Sequence, residues 1–149
     1  TVAQHLVDFD STYTNVPTIM PADDTIPQST EGDEVLSVTI TPTNGSSRIL
    51  VLATLNIGGA TSAIVSGASF RGGFSNGIGA SEASINTSTA MQQLQVFASY
   101  DALDTTARSY SIRMGAAAAG DAKLNGDGSA RVFGGAAVSR LDVFEILPQ

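Results

Sequence analysis

The segment best suited to molecular recognition is a glycine-rich stretch at residues 70–77, which reads Phe-Arg-Gly-Gly-Phe-Ser-Asn-Gly. Arg71 supplies a cation, Phe74 an aromatic face and Asn76 an amide, while the glycines let the backbone approach a ligand. Sugar recognition uses such stacking faces and planar hydrogen-bonding groups. The stretch therefore predicts a receptor-binding loop. The alternative is that Phe70 and Phe74 belong to the core and that Arg71 is an ordinary surface charge.

A second, weaker candidate loop contains Tyr100, Asp101 and Asp104. Tyr100 and Asp101 offer a receptor an aromatic face and a carboxylate. Two carboxylates at a set separation would also suit a glycosidase. Loop aspartates are far more often turn formers, so we expect these residues to bind and not to catalyse.

Other catalytic and metal-binding patterns are weak. His5 is the single histidine, so a Ser-His-Asp triad would depend on it alone, and it lies near the start of the chain. Residues 123–128 are similar to a calcium loop, but its first and twelfth ligand positions are Lys123 and Gly134. A hairpin turn suits them better. We expect no enzymatic activity, no cofactor and no metal.

The composition and the charge of the chain argue against some classes of function. The chain has 149 residues, of which 42% are hydrophobic and only 14% charged, and it contains no cysteine. The net charge is −7, and residues 1–34 hold seven acids and no base. This balance argues against nucleic-acid binding, which needs basic patches. We interpret the acidic quarter as a solvated collar, with a bound cation as the alternative. No apolar run approaches the length of a membrane span.

The periodicity of the sequence predicts strands. Apolar and polar residues alternate over several segments, and Asn-Gly pairs supply tight turns. We predict an all-β, jelly-roll-like antiparallel β-sandwich of about eight to ten strands. A short helix at 80–93 is the one helical candidate. The predicted strand segments are 36–41, 48–57, 94–100, 109–114, 132–133 and 140–146.

Two features suggest an oligomer. Residues 49–55 are apolar on both faces, so the outer face near Leu50 and Leu52 needs a cover. Residues 49–100 contain only two charged side chains and many small residues. Contact between subunits explains both features; the alternative is cover by loops of the same chain. Arg113 is a third candidate interface residue, paired with a carboxylate such as Glu145 within or between subunits, or simply exposed.

Most of the chain, roughly residues 20–147, resembles the tip domains of bacteriophage tail fibres. The most specific matches are Asp-Asp-Thr-Ile-Pro-Gln at 23–28 and Arg-Val-Phe-Gly-Gly at 131–135. The final segment at 139–146 is also similar to the family's last strand. The resemblance implies a homotrimer at the distal end of a fibre on the virion, outside the cell, contacting the bacterial surface. It does not identify receptor residues.

Because the chain lacks an initial Met, we expect a piece of a longer fibre protein. Residues 1–20 would connect to an upstream fibre shaft and residues 21–149 would form the tip domain. The predicted function is non-catalytic attachment to a bacterial surface glycan or outer-membrane receptor. A purely structural trimerisation cap is the alternative, and a polysaccharide-degrading enzyme is a third possibility.

Overall fold

Two antiparallel sheets packed face to face form the structure, which is a computed structural model of residues 1–149. All ten strands belong to one of these sheets, and the single helical element is a 3₁₀ turn at Phe133–Gly135. The structure has no helix of the length and hydrophobicity needed to cross a membrane. The strands are β1 (Val2–Asp10), β2 (Thr14–Val16), β3 (Asp33–Ile40), β4 (Arg48–Gly59), β5 (Ile64–Arg71), β6 (Ile78–Ser84), β7 (Gln92–Asp101), β8 (Arg108–Ala116), β9 (Ala122–Leu124) and β10 (Ser139–Ile146).

The six-stranded first sheet is built around β4, which spans 12 residues and pairs with three strands. One edge of β4 pairs with β10 and then with β9, and its other edge pairs with β7. Strand β1 pairs with β10, and β2 pairs with β9. Because β1 and β10 run antiparallel, the two chain ends meet, and Leu147 N donates to Thr1 O at 2.9 Å.

The second sheet has four strands in the order β3-β8-β5-β6. Alternation places the large side chains of β8, Tyr110, Ile112 and Met114, in the core, all fully buried. The opposite face of β8 carries Ser109, Ser111 and Arg113, as its pattern predicts. The second sheet therefore presents a polar outer face along β8.

The core lies between the sheets and contains 25 buried hydrophobic residues. Strand β4 contributes Ile49, Val51, Leu55 and Ile57, each almost completely buried, while its alternate residues face outward. Burying a large aliphatic side chain stabilises a fold by about 1.5–3 kcal/mol. The predicted all-β jelly-roll sandwich is confirmed, and the ten strands agree with the expected number.

A buried carboxylate ties one end of the sandwich together. Glu145 Oε1 accepts hydrogen bonds from Thr43 N at 2.8 Å, Asn44 N at 3.1 Å and Ser47 Oγ at 2.8 Å. Its Oε2 accepts from Gln4 Nε2 at 2.7 Å. Burial raises the pKa of Glu145, but these hydrogen bonds outweigh it and leave the pKa below its usual value. Glu145 thus joins β1 and β10 to the Asn-Gly turn between β3 and β4.

A segment at residues 17–32 crosses the outer face of the second sheet. Met20 is fully buried there against Ala68 and Phe70, forming a second small core. Asp23 Oδ1 accepts from Thr25 N at 3.0 Å, so this aspartate organises a local turn. The segment thereby covers the apolar end of β5.

Three expectations about local structure are wrong. The boundary at residue 20 is not the start of the sandwich, because β1 pairs with β10 over its whole length and is one of the sandwich strands. Residues 80–93 form no helix, since they hold the end of β6 and the start of β7. Residues 132–133 are not a strand: Phe133 has φ 60°, in the left-handed region, and is followed by two glycines with positive φ.

Candidate functional site

The loop at residues 72–77 joins β5 to β6, and the segment at 27–29 holds it in place. Gly77 N donates to Pro27 O at 2.7 Å, and Ser29 N donates to Ser75 O at 2.8 Å. Gln28 forms an antiparallel bridge with Asn76 and donates from Nε2 to Asn76 Oδ1 at 3.1 Å. The segment at 27–29 therefore supports the predicted recognition loop.

Arg71 lies at the centre of this site, at the end of β5. Its guanidinium carbon lies 4.5 Å from the ring centroid of Phe74 and 5.2 Å from that of Tyr100. Such cation–π contacts contribute about 0.5–2 kcal/mol each. Arg71 Nη1 donates to Asp101 O at 2.7 Å, whereas its Nε is buried and has no hydrogen-bond partner. The charge of Arg71 is thus fixed in position without a bound carboxylate.

Two tyrosines line the buried side of Arg71. Tyr100 packs edge-on against Tyr110 with ring centroids 5.1 Å apart, and its hydroxyl lies 2.8 Å from Ser69 Oγ. Burial raises the pKa of both Tyr100 and Tyr110, while the nearby positive charge of Arg71 acts in the opposite direction. Both phenols therefore stay neutral at physiological pH and present aromatic faces and not charge.

A cavity of about 200 Å³ brings together four of the five predicted receptor-binding residues. Arg71, Phe74, Asn76 and Tyr100 line it, together with Ser75 and Ile78. Phe74 is 48% exposed and Phe70 is buried, so the core alternative holds for Phe70 alone.

Asp101 does not line this cavity. Its carboxylate pairs with Arg48 outside it, and only its backbone carbonyl contacts Arg71. Asp101 therefore positions Arg71 through the backbone, and its side chain does not contribute to the cavity.

A second cavity, of about 380 Å³, lies against the same loop and shares Arg71, Phe74 and Ser75 with the first. It extends over the polar outer face of β8, where Ser109, Ser111 and Arg113 also line it. The sequence shows these three residues on one face of a strand, but not that β8 pairs with β5. That pairing joins strands separated by β6 and β7, and no local pattern predicts it.

The remaining carboxylate of the second candidate loop has a structural role. Asp104 accepts two hydrogen bonds from Arg108, at 2.6 and 2.8 Å, and one from Thr106 N at 2.8 Å. The pKa of Asp104 lies well below its usual value, mainly because the Arg108 side chain donates hydrogen bonds to the carboxylate. Asp104 is therefore a turn former held by an arginine.

The outer face of the first sheet carries several exposed apolar side chains beside the charged residues His5, Arg140 and Asp142. Leu52 is 38% exposed and lies beside Phe97, which is 59% exposed, on the neighbouring strand. Leu50 is half-buried between Phe144 and Ser99. The sequence did not identify Phe97, although it stands among the glutamines and serine on the polar side of β7. We call this surface the apolar sheet face, and it comprises Val7, Phe9, Leu50, Leu52, Phe97 and Phe144.

Arg113 is not part of the apolar sheet face, because it lies on β8 in the other sheet. Its Nε and Nη2 donate to Glu31 O and Gly32 O, both at 2.8 Å. The pairing of Arg113 with Glu145 within one chain is therefore wrong: Glu145 is buried elsewhere and already has its partners. Leu50, Leu52 and Arg113 cannot share one face of a subunit.

His5 and the acidic residues form no recognisable catalytic or metal centre. His5 stacks on Phe144 with ring centroids 4.2 Å apart, and its Nε2 lies 2.6 Å from Asp142 Oδ1. Asp142 also binds Arg140 through both carboxylate oxygens. No group of three or more His, Asp or Glu side chains is arranged to hold a metal ion.

The comparisons with known proteins concern the fold. No protein-family model matches the sequence, and no curated protein matches it significantly. Eiger, a TNF protein from S. frugiperda, aligns over 97% of this chain and 94% of its own, with 11% identity and a TM-score of 0.52. Murine APRIL aligns over 96% of this chain and 100% of its own, with 14% identity and a TM-score of 0.47. The C-terminal domain of EclA, a sugar-binding protein, aligns over 82% of this chain and 75% of its own, with 11% identity and a TM-score of 0.42.

The similarity to Eiger defines the class of fold: a TNF-like jelly-roll β-sandwich. At 11% identity it concerns the fold alone. None of these three proteins is a tail-fibre protein, so the tail-fibre resemblance of the sequence stays a prediction.

Proposed function

We propose that this chain is a non-catalytic attachment domain that recognises a receptor on the bacterial surface. The observation that carries the proposal is the convergence of Arg71, Phe74, Asn76 and Tyr100 on one cavity. These residues come from β5, β7 and the loop between β5 and β6, so tertiary structure assembles the site. A rigid β-scaffold that presents a loop with aromatic, cationic and amide groups is typical of recognition.

The tail-fibre resemblance supports a more specific role, at the distal end of a fibre on the virion. The upstream fibre shaft and a homotrimeric assembly are part of the same proposal. The apolar sheet face supports self-association, because its aromatic and aliphatic side chains are exposed in the single chain. None of the residues of the apolar sheet face lines the cavity beside Arg71, so subunits that meet through this face would leave the cavity open.

A polysaccharide-degrading activity receives little support from the same side chains. Asp101 and Asp104 are each held by a separate arginine, Arg48 and Arg108, and neither lines the cavities beside Arg71. A glycosidase needs two carboxylates that face one bond of the substrate. The arrangement favours binding over hydrolysis.

The structural-cap alternative rests on a specific observation, the apolar sheet face, which alone would serve trimerisation. Receptor binding, a structural cap and an enzyme are distinguished by incubating the fluorescently labelled protein with a panel of bacterial strains and their purified surface glycans. We expect saturable binding to some strains and no release of reducing sugar. Binding to none of the strains would favour the cap, and release of reducing sugar would favour the enzyme.

A further inference from the structure

The larger cavity is lined by two arginines, Arg71 and Arg113, and by one carboxylate, Glu34. The protein has 14 acidic residues and seven basic ones. Four ion pairs are present, and they involve His5, Arg48, Arg108 and Arg140. Neither Arg71 nor Arg113 takes part in an ion pair, although both line the same cavity.

Both arginines are held by backbone carbonyl groups instead of carboxylates. Arg113 uses Nε and Nη2 for the carbonyls of Glu31 and Gly32, which leaves Nη1 free. Arg71 uses Nη1 for the carbonyl of Asp101, and its buried Nε has no partner. Neutral acceptors fix a guanidinium in place without cancelling its charge, so Nη1 of Arg113 stays available to an anion, whereas the buried Nε of Arg71 does not.

The rest of the lining suits a sugar that carries the anion. Ser75, Ser109 and Ser111 supply hydroxyl groups, and Phe74 supplies an exposed ring at the rim. The volume of about 380 Å³ is within the range of small-ligand sites. Glu34 is the one carboxylate in the lining, and it is exposed and makes no ion pair with Arg113.

We infer that this cavity binds an oxyanion-bearing sugar, with Arg113 contacting the anionic group and Phe74 contacting the sugar ring. The inference rests on the proposed attachment function and names the class of receptor that it recognises. Carboxylate groups of acidic sugars and phosphate groups of phosphorylated sugars share this chemistry. Arginine forms paired hydrogen bonds with either group.

The test is calorimetric titration of the oligomeric protein with three probes: a uronic-acid oligosaccharide, a phosphorylated oligosaccharide and a neutral oligosaccharide of equal length. We expect at least one charged probe to bind about tenfold or more tightly than the neutral one, with affinity that falls as salt rises. The two charged probes distinguish carboxylate from phosphate. Absence of saturable binding by both charged probes overturns the inference, and so does equal binding of the neutral probe.

Four variants locate the effect. Arg113→Gln and Ser75→Asp should each weaken binding of the charged probe by about tenfold, the first by removing a charged donor and the second by adding a like charge. Glu34→Gln should strengthen it, because it removes the carboxylate in the cavity. Arg131→Gln makes the same charge change outside both cavities and should have no effect. Ser75 and Glu34 are exposed, so these two variants test the site even if Arg113→Gln fails to fold.

An equal loss in Arg131→Gln, or no change in Ser75→Asp and Glu34→Gln, would overturn the inference. Adsorption to bacterial cells is measured separately. Cell binding without any preference for the charged probes would leave the attachment function standing and remove only the ligand class.

Discussion

At the scale of single residues, the protein holds its charged groups in two ways. Arg48, Arg108 and Arg140 pair with carboxylates, whereas Arg71 and Arg113 are bound to carbonyl groups. The first arrangement neutralises charge at the surface, and the second retains it in a cavity. Single substitutions can therefore separate residues that stabilise the fold from residues that bind.

Phe74→Ala should weaken adsorption to host cells by about tenfold, because the ring covers the Arg71 guanidinium and lines both cavities. Stability should change little, since the side chain is half-exposed. The measurement is adsorption of the folded, oligomeric variant. Phe133→Ala is the matched control, as Phe133 is a more exposed phenylalanine that lines neither cavity. Unchanged adsorption of Phe74→Ala would exclude the loop at 72–77 as the receptor site.

Glu145→Gln should lower the free energy of unfolding by about 1–3 kcal/mol, because buried donors lose their charged acceptor. The pKa of Glu145 in the folded protein lies below its ordinary value of 4.5. The stability that Glu145 contributes is therefore present above that value and is lost as the pH falls through the folded pKa.

Chemical denaturation at several pH values measures both effects. The difference in stability between wild type and Glu145→Gln should be full at neutral pH and should shrink below about pH 4.5, the ordinary pKa of the group. Asp104, Asp127 and Asp142 also have lowered pKa values, but they are common to both proteins and cancel in the difference. A difference that does not depend on pH would contradict this account of Glu145.

At the scale of elements, the two sheets have different outer faces. The first sheet exposes the apolar sheet face, whereas the outer face of the second sheet carries polar, partly buried side chains of β8 and is partly covered by the segment at 17–32. Each face follows from the alternation of side chains along its strands. In the proposed function, self-association would use the outer face of the first sheet, and recognition would use the end of the sandwich where Arg71 and Tyr100 meet.

Phe97→Lys should prevent self-association without unfolding the chain. Phe97 is 59% exposed in the single chain, so a lysine fits there, but a charge at the centre of a subunit contact has to be desolvated. The measurements are sedimentation velocity and circular dichroism. Thr39→Lys, on the exposed outer face of β3, is the control and should keep the oligomer. An intact oligomer in Phe97→Lys would exclude this face as the interface.

The strands with clean alternation were predictable, and so was the loop that carries the site. The alternation of apolar and polar residues alone predicts the strands at Leu36 to Ile40 and at Leu94 to Tyr100. Strand β6, which reads Ile-Gly-Ala-Ser-Glu-Ala-Ser, has small residues on both faces and no such pattern. It is a strand because it pairs with β5, a long-range contact that overrides local propensity.

The contribution of β8 to the candidate site escaped prediction for the same reason. Arg71 and Phe74 are close in sequence, and their shared chemistry is visible in one short stretch. Arg113 joins them only through the pairing of β5 with β8, in which Ala68 lies opposite Arg113 and Arg71 opposite Tyr110. The pairing of Arg113 with Glu145 within one chain, one of the possibilities that the sequence left open, is wrong because the two residues lie on different sheets.

At the scale of the whole molecule, the expected assembly is a homotrimer. Light scattering at micromolar concentration should give three times the chain mass of 15.2 kDa. A stable monomer would contradict both the tail-fibre resemblance and the role of the apolar sheet face. A dimer would retain that face as an interface and contradict the trimer alone.

Fusion of a bulky protein to Thr1 should leave this assembly intact, because Thr1 is exposed at the edge of the first sheet. The measurement is the mass of the fusion protein, which should be three times that of one fused chain. Loss of assembly would show that the start of β1 lies within the subunit contact and not at its periphery.

Because the two chain ends meet, an upstream shaft would join the domain at the same end as the candidate site. Val2, Ile146, Arg48 and Asp101 are successive partners across the first sheet, so Thr1 lies at the same end as Asp101 and Arg71. A shaft joined at Thr1 would begin beside the candidate site. Strand β1 would run about 30 Å from the site towards the other end of the domain. The fibre would then touch the bacterium with its flank and not with its apex. In the proposed threefold assembly, the three sites would point in different directions, so one fibre would engage a flat surface with fewer than three of them, and several fibres acting together would favour adsorption.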